Sequence, residues 1–267
     1  MSAIRTIASK HNPRLKQLRA ALLKPSAHND GLIALEGFHL VEEALASGVS
    51  IHTIFIAQGC ETLLETLRLP TSIEILALPA PLLAASVTTE SPQPIAALVA
   101  PPAWKWPDLL RIASPLIVVL AGVQDPGNLG TILRSAEAFG ASGAVLLPCT
   151  VSAWNPKSMR ASAGSVFRLP TRAASIESCF QQLAAASIPA AAALAHHATP
   201  LLNAQFFSGP LAIVIGSEGA GVPPEIAARC DHAVTIPCPG PVESLNAAVA
   251  ASILLYEAAR QRGKTLP

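Results

Sequence analysis

Five runs in the C-terminal half, LIVVLAGV, GAVLLP, IPAAAALA, LAIVIGS and HAVTIP, are almost wholly apolar and show no alternation with polar residues. A strand with one wet face alternates, whereas a strand covered on both faces reads as a continuous apolar run. The stretches between them, LGTILRSAEAFG, IESCFQQLAAAS and PPEIAARC, read as helices, and SLNAAVAASILLYEAARQR closes the chain as a longer one. That pattern is an α/β fold with a parallel sheet wrapped by helices. Ligands of such sheets bind beyond the carboxyl ends of the strands, so chemistry is expected in the loops that follow them.

The residues upstream have a different texture. LIALEG, IHTIFIA, IEILALP and IAALVA read as short strands, with helices at FHLVEEALASG and CETLLETLRL. This is a second, smaller α/β unit. Between the two lies APPAWKWPD, where Pro101, Pro102 and Pro107 disfavour regular structure and mark a linker. Trp104 and Trp106 can stack on bases, but read first as residues that dock the linker. The expected organisation is a basic arm at 1–28, a small domain at 29–100, a linker at 101–112 and the large domain at 113–267.

Bulk properties narrow the function classes. Of 267 residues, 51% are hydrophobic, yet no apolar run approaches the ~18 residues needed to span a bilayer. No secretory signal precedes the first domain, so a soluble cytoplasmic protein is expected. Cys60, Cys149, Cys179, Cys230 and Cys238 are odd in number and lack a CxxC pair, which argues against structural zinc and a disulfide framework. His196 and His197 are adjacent, so they point apart and suit a loop or strand end better than a metal; no metal is expected. Arg5, Lys10, Arg14, Lys16, Arg19 and Lys24 all precede the first acid, Asp30, leaving twelve basic residues against seventeen acids for the rest. Such an arm can neutralise nucleic-acid phosphates. It reads equally well as a solvated amphipathic helix with Leu15, Leu18 and Leu22 inward, and an acid-free start also fits an organelle-targeting segment.

Three loops are chemically unusual. In VQDPGNLGTILRSAEAFG, Asn128 opens a helix and Arg134 lies six residues on. Capping by Asn128 and an Arg134–Glu137 ion pair would account for both without any function. In IVIGSEGAGVPPE, Gly216, Gly219 and Gly221 crowd a strand end, the usual device where a backbone must approach something closely. The order of its glycines is neither a Walker loop nor a dinucleotide fingerprint. Glu218 would repel a phosphate there, so a ligand with a cationic or hydroxyl-rich part fits better. In IPCPGPVESLNAAV, Ser244 reads as a helix N-cap, and Glu243 and Asn246 exceed what capping needs.

Taken in order, DPGNLGTILRSAEAFG, IVIGSEGAGVPPE and IPCPGPVESLNAAVAASILLYE make the chain resemble the SpoU (TrmH) branch of the SPOUT superfamily of RNA ribose 2'-O-methyltransferases. WNPKSMRASAGSVFRLP is similar to that family's segment after its second strand. ASKHNPRLKQL and LEGFHLVEEAL resemble the opening and the L30e-like substrate-binding domain of its ribosomal-RNA members. The resemblance implies a deep trefoil knot in the C-terminal domain and S-adenosylmethionine as methyl donor. It implies donor contacts from Gly216, Gly219, Ile236 and Leu245, with Leu194 and Ala195 near the adenine. It gives Arg134 the central catalytic role, with Asn128, Glu218, Ser244 and Asn246 around it. Arg134 is either the proton acceptor or a phosphate anchor beside the target ribose, since a guanidinium is normally always protonated. RNA contacts are expected from Lys10, Arg14, Lys16, Arg19 and Arg160. In the family the site is completed across a homodimer, with the final helix in the interface.

The function so implied is methylation of a ribose 2'-hydroxyl in structured RNA, ribosomal RNA ahead of transfer RNA. A non-catalytic RNA-binding or ribosome-assembly factor with the same fold, and a nicotinamide-dependent dehydrogenase, are the competing readings. The intact polar set argues against the first and the missing fingerprint against the second.

Overall fold

The computed structural model describes residues 3–23, 31–89, 91–242 and 244–263. Lys24 and Glu243 therefore lie outside the described residues. The chain forms two compact units, one from residues 1–103 with 154–167, the other from 104–153 with 168–267.

The first unit opens with β1 (Ile4–Thr6) and α1 (Pro13–Leu23), then β2 (Ile33–Glu36), α2 (Phe38–Ala46), β3 (Ser50–Ala57), β4 (Glu74–Leu78), α3 (Ala80–Ala84) and β5 (Ile95–Ala100). Its sheet has the order β1-β4-β3-β5-β2. β1, β4 and β3 run parallel, and β5 is antiparallel to both of its neighbours. Leu15, Leu18 and Leu22 of α1 are buried in the same core as Phe55 and Leu76, each burial stabilising by roughly 1.5–3 kcal/mol. The amphipathic reading of this helix holds, and Arg14, Lys16 and Arg19 ride on a packed element. CETLLETLRL departs from expectation: Glu61–Thr66 is a 3-10 helix with only Leu64 buried. One apolar anchor is too little to hold an α-helix of that length.

The second unit begins with α4 (Trp106–Leu110), where Pro107 sits in the first turn, a position that needs no N–H. The proline taken as a breaker thus starts a short helix. Then follow β6 (Leu116–Ala121), α5 (Pro126–Ala138) and β7 (Gly143–Leu146), after which α6 (Pro156–Ser162) and all but the last residue of α7 (Ser165–Arg168) belong to the first unit. These two short helices are what WNPKSMRASAGSVFRLP becomes. Next come β8 (Thr171–Ala173), α8 (Ile176–Ala185), β9 (Ala190–Ala193), β10 (Thr199–Pro200), β11 (Leu211–Gly216), α9 (Pro224–Ala227), β12 (His232–Thr235) and α10 (Ala247–Gln261). All seven strands are parallel, in the order β10-β12-β9-β11-β6-β7-β8. β6 and β11 are buried along their whole length, as their continuous apolar runs require. β8 and β10 are too short to leave a pattern in the sequence.

From β6 the chain moves outward through β7 and β8, then returns to the other side for β9 and β11. The reversal falls between β6 and β11, where a doubly wound sheet opens its ligand crevice. α10 packs on α5: Ser135 Oγ and Ser252 Oγ are 2.7 Å apart, and Phe139 and Tyr256 meet edge to face at 5.8 Å. All five cysteines are free, and burial pushes the Cys179 thiol up to about 12, as suits a core residue. Among the described residues no helix is long and apolar enough to cross a membrane.

Candidate functional site

At the end of β6, the Gly122 N–H donates to Thr150 Oγ1 at 3.0 Å and the chain turns into α5. Asp125 caps that helix, its Oδ1 accepting from the Asn128 N–H at 2.8 Å. Asn128 is therefore not the cap, and its side chain is free to reach outward. Asn128 Nδ2 donates to Glu218 Oε1, and its Oδ1 accepts from Asn246 Nδ2 at 3.1 Å. Asn246 Oδ1 in turn accepts from the N–H groups of Ala248 and Val249 at 2.9 and 3.3 Å. Asn246, and not Ser244, is the N-cap of α10, whose first residue is Ala247. The reason is geometric: the backbone stays extended through Asn246, so Ser244 lies before the helix. Each amide has one orientation that satisfies the whole chain of donors, which runs from the α10 N-terminus through Asn246 and Asn128 to the Glu218 carboxylate.

Glu218 sits on a loop closed tightly on itself. Ser217 and Gly221 exchange two backbone hydrogen bonds of 3.1 and 2.9 Å, and Ser217 Oγ accepts from the Ala220 N–H at 3.2 Å. A Cβ on Gly216 would lie 1.9 Å from the Gly221 carbonyl carbon. The close approach that demands glycine at 216 is made by the protein's own returning loop.

Beside this loop lies a cavity of about 740 Å³. Gly216, Glu218 and Gly219 line it from the β11 loop; Ile236, Ser244 and Leu245 line it from the β12 loop. Leu194 and Ala195, just beyond β9, complete it. Thr235 Oγ1 donates to the Ala195 carbonyl at 2.9 Å, tying two of these loops together. Asn128 and Asn246 stand behind Glu218 and are not in the lining.

Arg134 is exposed on α5, outside the lining of this cavity, with no hydrogen bond or ion pair among the described residues. Glu137, its candidate partner, pairs instead with Arg168 at 2.6 Å. The expected RNA contacts belong to the first unit. Arg14 pairs with Glu74 at 2.9 Å, and Arg19 donates to Ser86 Oγ and to the Lys10 carbonyl. Lys10, Lys16 and Arg160 are exposed, with side chains unpaired among the described residues.

The sequence reading did not assign His196 and His197 to the site, yet both line the cavity. Adjacent side chains on a strand point apart, but these two lie beyond β9 in a turn where His197 is in the left-handed region at φ 57, and both residues line one cavity. Among the described residues no cluster of His, Cys, Asp or Glu can hold a metal ion.

Comparison with known proteins gives the same pattern. Residues 115–256 match the SpoU rRNA Methylase family, and residues 12–97 match the MRM3-like substrate binding domain. The chain is 34% identical to the 23S rRNA (guanosine(2553)-2'-O)-methyltransferase RlmP of Bacillus subtilis, over 95% of this chain and 98% of that one. It is 35% identical to an uncharacterised tRNA/rRNA methyltransferase of Synechocystis, over 98% and 96%. Among solved structures, the SpoU methyltransferase AviRb of Streptomyces viridochromogenes, in complex with AdoMet, superposes with TM-score 0.81 at 29% identity, over 94% of this chain and 98% of that one. The AdoMet-bound rRNA methyltransferase of Sinorhizobium meliloti gives 0.83 at 29%, over 96% and 98%. With a family match over residues 115–256, more than half of the chain, and relatives above 30% identity along nearly their whole length, the chain belongs to the SpoU rRNA methylase family.

Proposed function

We propose that the protein transfers a methyl group from S-adenosylmethionine to a ribose 2'-hydroxyl of RNA, with ribosomal RNA as its substrate class. The observation that carries this reading is the hydrogen-bonded line Asn246–Asn128–Glu218 at the switch point of the sheet, on the edge of a donor-sized cavity. The relative named as a 23S rRNA 2'-O-methyltransferase and the match to a substrate-binding domain support it.

The residues present fit the donor. The cavity falls within the roughly 300–1,000 Å³ typical for ligands of this size. It has apolar walls for a planar base and, among the described residues, one carboxylate, Glu218, which suits a cationic ligand. When bound, S-adenosylmethionine supplies an electrophilic methyl group carried on a positively charged sulfur. In this reading Leu194, Ala195, Ile236 and Leu245 hold the donor through backbone contacts, and Gly216 and Gly219 shape the loop beside it. Asn128 holds Glu218 toward the reacting end, and Ser244 offers the incoming hydroxyl a hydrogen bond. Arg134, a permanent cation, anchors the phosphate next to the target ribose, so that the hydroxyl is aligned before its proton leaves to water or phosphate.

The reading includes a homodimer. Arg134 is exposed and outside the lining of its own chain's cavity, on the pair of packed helices whose second member exposes Val249 and Tyr256, so in this reading the cavity it serves is that of a second copy. It also includes the trefoil knot, action in the cytoplasm, an RNA-binding domain at 29–100 and a catalytic domain at 113–267.

Calorimetry with S-adenosylmethionine, followed by transfer of labelled methyl groups to RNA, tests the core of the proposal. Two variants refine it. Asn246→Asp keeps the cap but loses the donor to Asn128, so thermal stability should hold while turnover falls by about tenfold, the order of one hydrogen bond to the active carboxamide. Equal loss of stability and activity would assign Asn246 to capping alone. Because α1 is part of the first unit's core, the basic face is tested by substitution and not by deletion. Lys10→Ala, Lys16→Ala and Arg160→Ala should each lower the salt dependence of RNA binding by about 0.7–0.9 in slope; a slope unchanged by all three would leave them as solvated surface.

A further inference from the structure

Among the described residues seven polar side chains line the cavity, and most are already engaged. Thr235 Oγ1 donates to the Ala195 carbonyl, Cys238 Sγ to the Ile236 carbonyl, Ser217 Oγ accepts from Ala220 and Glu218 accepts from Asn128. The lining side chains without a hydrogen bond among the described residues are Ser244, His196 and His197. Ser244 belongs to the reacting end. The two imidazoles have no role in the transfer described above.

Their place in the sheet says which part of a ligand they meet. Strand ends follow one another as β12, β9, β11, β6, about 4.8 Å apart. Asn128 follows β6 and Glu218 follows β11, so the reacting end lies over that pair. His196 and His197 follow β9, between β11 and β12, roughly 10 Å along the row from β6. A donor with its methyl group at Glu218 therefore lays its nucleoside half over β9 and β12. Leu194, Ala195 and Ile236 give that half backbone and apolar contacts, which suit the planar base. They leave the sugar hydroxyls without side-chain partners.

We propose that His196 and His197 are donor-positioning residues that hydrogen-bond the ribose diol of S-adenosylmethionine. A neutral imidazole carries one donor and one acceptor, so it can satisfy a hydroxyl in either sense. The left-handed backbone at His197 (φ 57) is a conformation that non-glycine residues keep where surrounding structure or function holds it. Here it accompanies two residues that line the same cavity, their ring centroids 6.5 Å apart. Thr235 fixes the start of the turn through the Ala195 carbonyl.

This inference rests on the donor reading above, and its test separates the two. Titrations use S-adenosylhomocysteine and 5'-methylthioadenosine, which share the nucleoside and differ in the amino-acid end. The double variant His196→Ala, His197→Ala should weaken both ligands by the same factor, about tenfold, the order of one lost hydrogen bond. Turnover at saturating donor should be unchanged. Asn at both positions should restore part of the affinity, and Phe should not. Unchanged affinity for methylthioadenosine, loss confined to S-adenosylhomocysteine, or full rescue by Phe would each overturn the assignment. Absence of donor binding by the folded wild-type protein would instead sink the methyltransferase reading, and this one with it.

Discussion

Arg134→Ala should lower methyl transfer by about a thousandfold while leaving affinity for S-adenosylmethionine nearly unchanged. The magnitude is that of removing one charged group aimed at the reacting centre in a preorganised site. The separation of the two effects comes from position. Arg134 is exposed on α5, makes no hydrogen bond or ion pair among the described residues, and does not line its own chain's cavity. Losing it should not disturb donor contacts. Arg134→Lys keeps the charge but loses the planar fork, and should recover only part of the rate. Stopped turnover with intact calorimetric binding is the expected pair of results; a large loss of donor affinity would place Arg134 on the donor side and contradict its assignment to RNA. If the site is shared between two copies, mixing Arg134→Ala with a cavity-defective Gly216→Ala chain should restore activity that neither has alone.

The second large effect concerns stability. Arg262, just past α10, donates to the carbonyls of Ser114 at 2.8 Å, Phe207 at 3.0 Å, Pro115 at 3.4 Å and Gly209. Gln261 adds a bond from Nε2 to the Ala204 carbonyl at 2.7 Å. One guanidinium thus ties the end of the last helix to the chain entering β6 and to the chain entering β11. Burial lowers its pKa from the ordinary arginine value, the expected direction for a cation held by carbonyls without an acid. Arg262→Ala leaves several carbonyls unpaired and should destabilise by about 3 kcal/mol, or roughly 6–12 °C in Tm. Arg262→Lys cannot reach the same set and should recover only a fraction. Thermal unfolding followed by circular dichroism would read this; a shift below about 0.5 kcal/mol, the size of a neutral surface change, would mean the clamp is replaced by water. The helix it fastens at one end carries Asn246 at the other, so the same variant should also loosen the line to Glu218.

The sequence made the large domain legible because its strands are buried on both faces. LIVVLAG and LAIVIG have no reading other than a central strand, and they are β6 and β11, the pair that frames the site. The three-residue β8 and two-residue β10 carry too few side chains to show a period, and CETLLETLRL had the composition of an α-helix without the apolar face to hold one. At the site, Gly216 and Glu218 stand out in the sequence because glycines and an acid crowd a strand end, whereas Leu245 comes only with the family resemblance; all three line the cavity. Ser244 and Asn246 exchanged places as cap, a difference of two residues that depends on how far the backbone stays extended. His196 and His197 were passed over because pairwise side-chain directions assume strand or helix geometry. The left-handed turn at His197 lies in φ, and although histidine adopts it more often than most non-glycine residues, it does so too rarely for the sequence to announce it.

The central claim is that the protein methylates a ribose 2'-hydroxyl of RNA. The most direct test is to incubate purified protein with S-adenosylmethionine and ribosomal RNA from cells lacking the gene, then map alkali-resistant linkages nucleotide by nucleotide. A single new 2'-O-methylated position, absent with Arg134→Ala, is the predicted result. Folded protein that binds the donor yet leaves every ribose of ribosomal and transfer RNA unmethylated would contradict it.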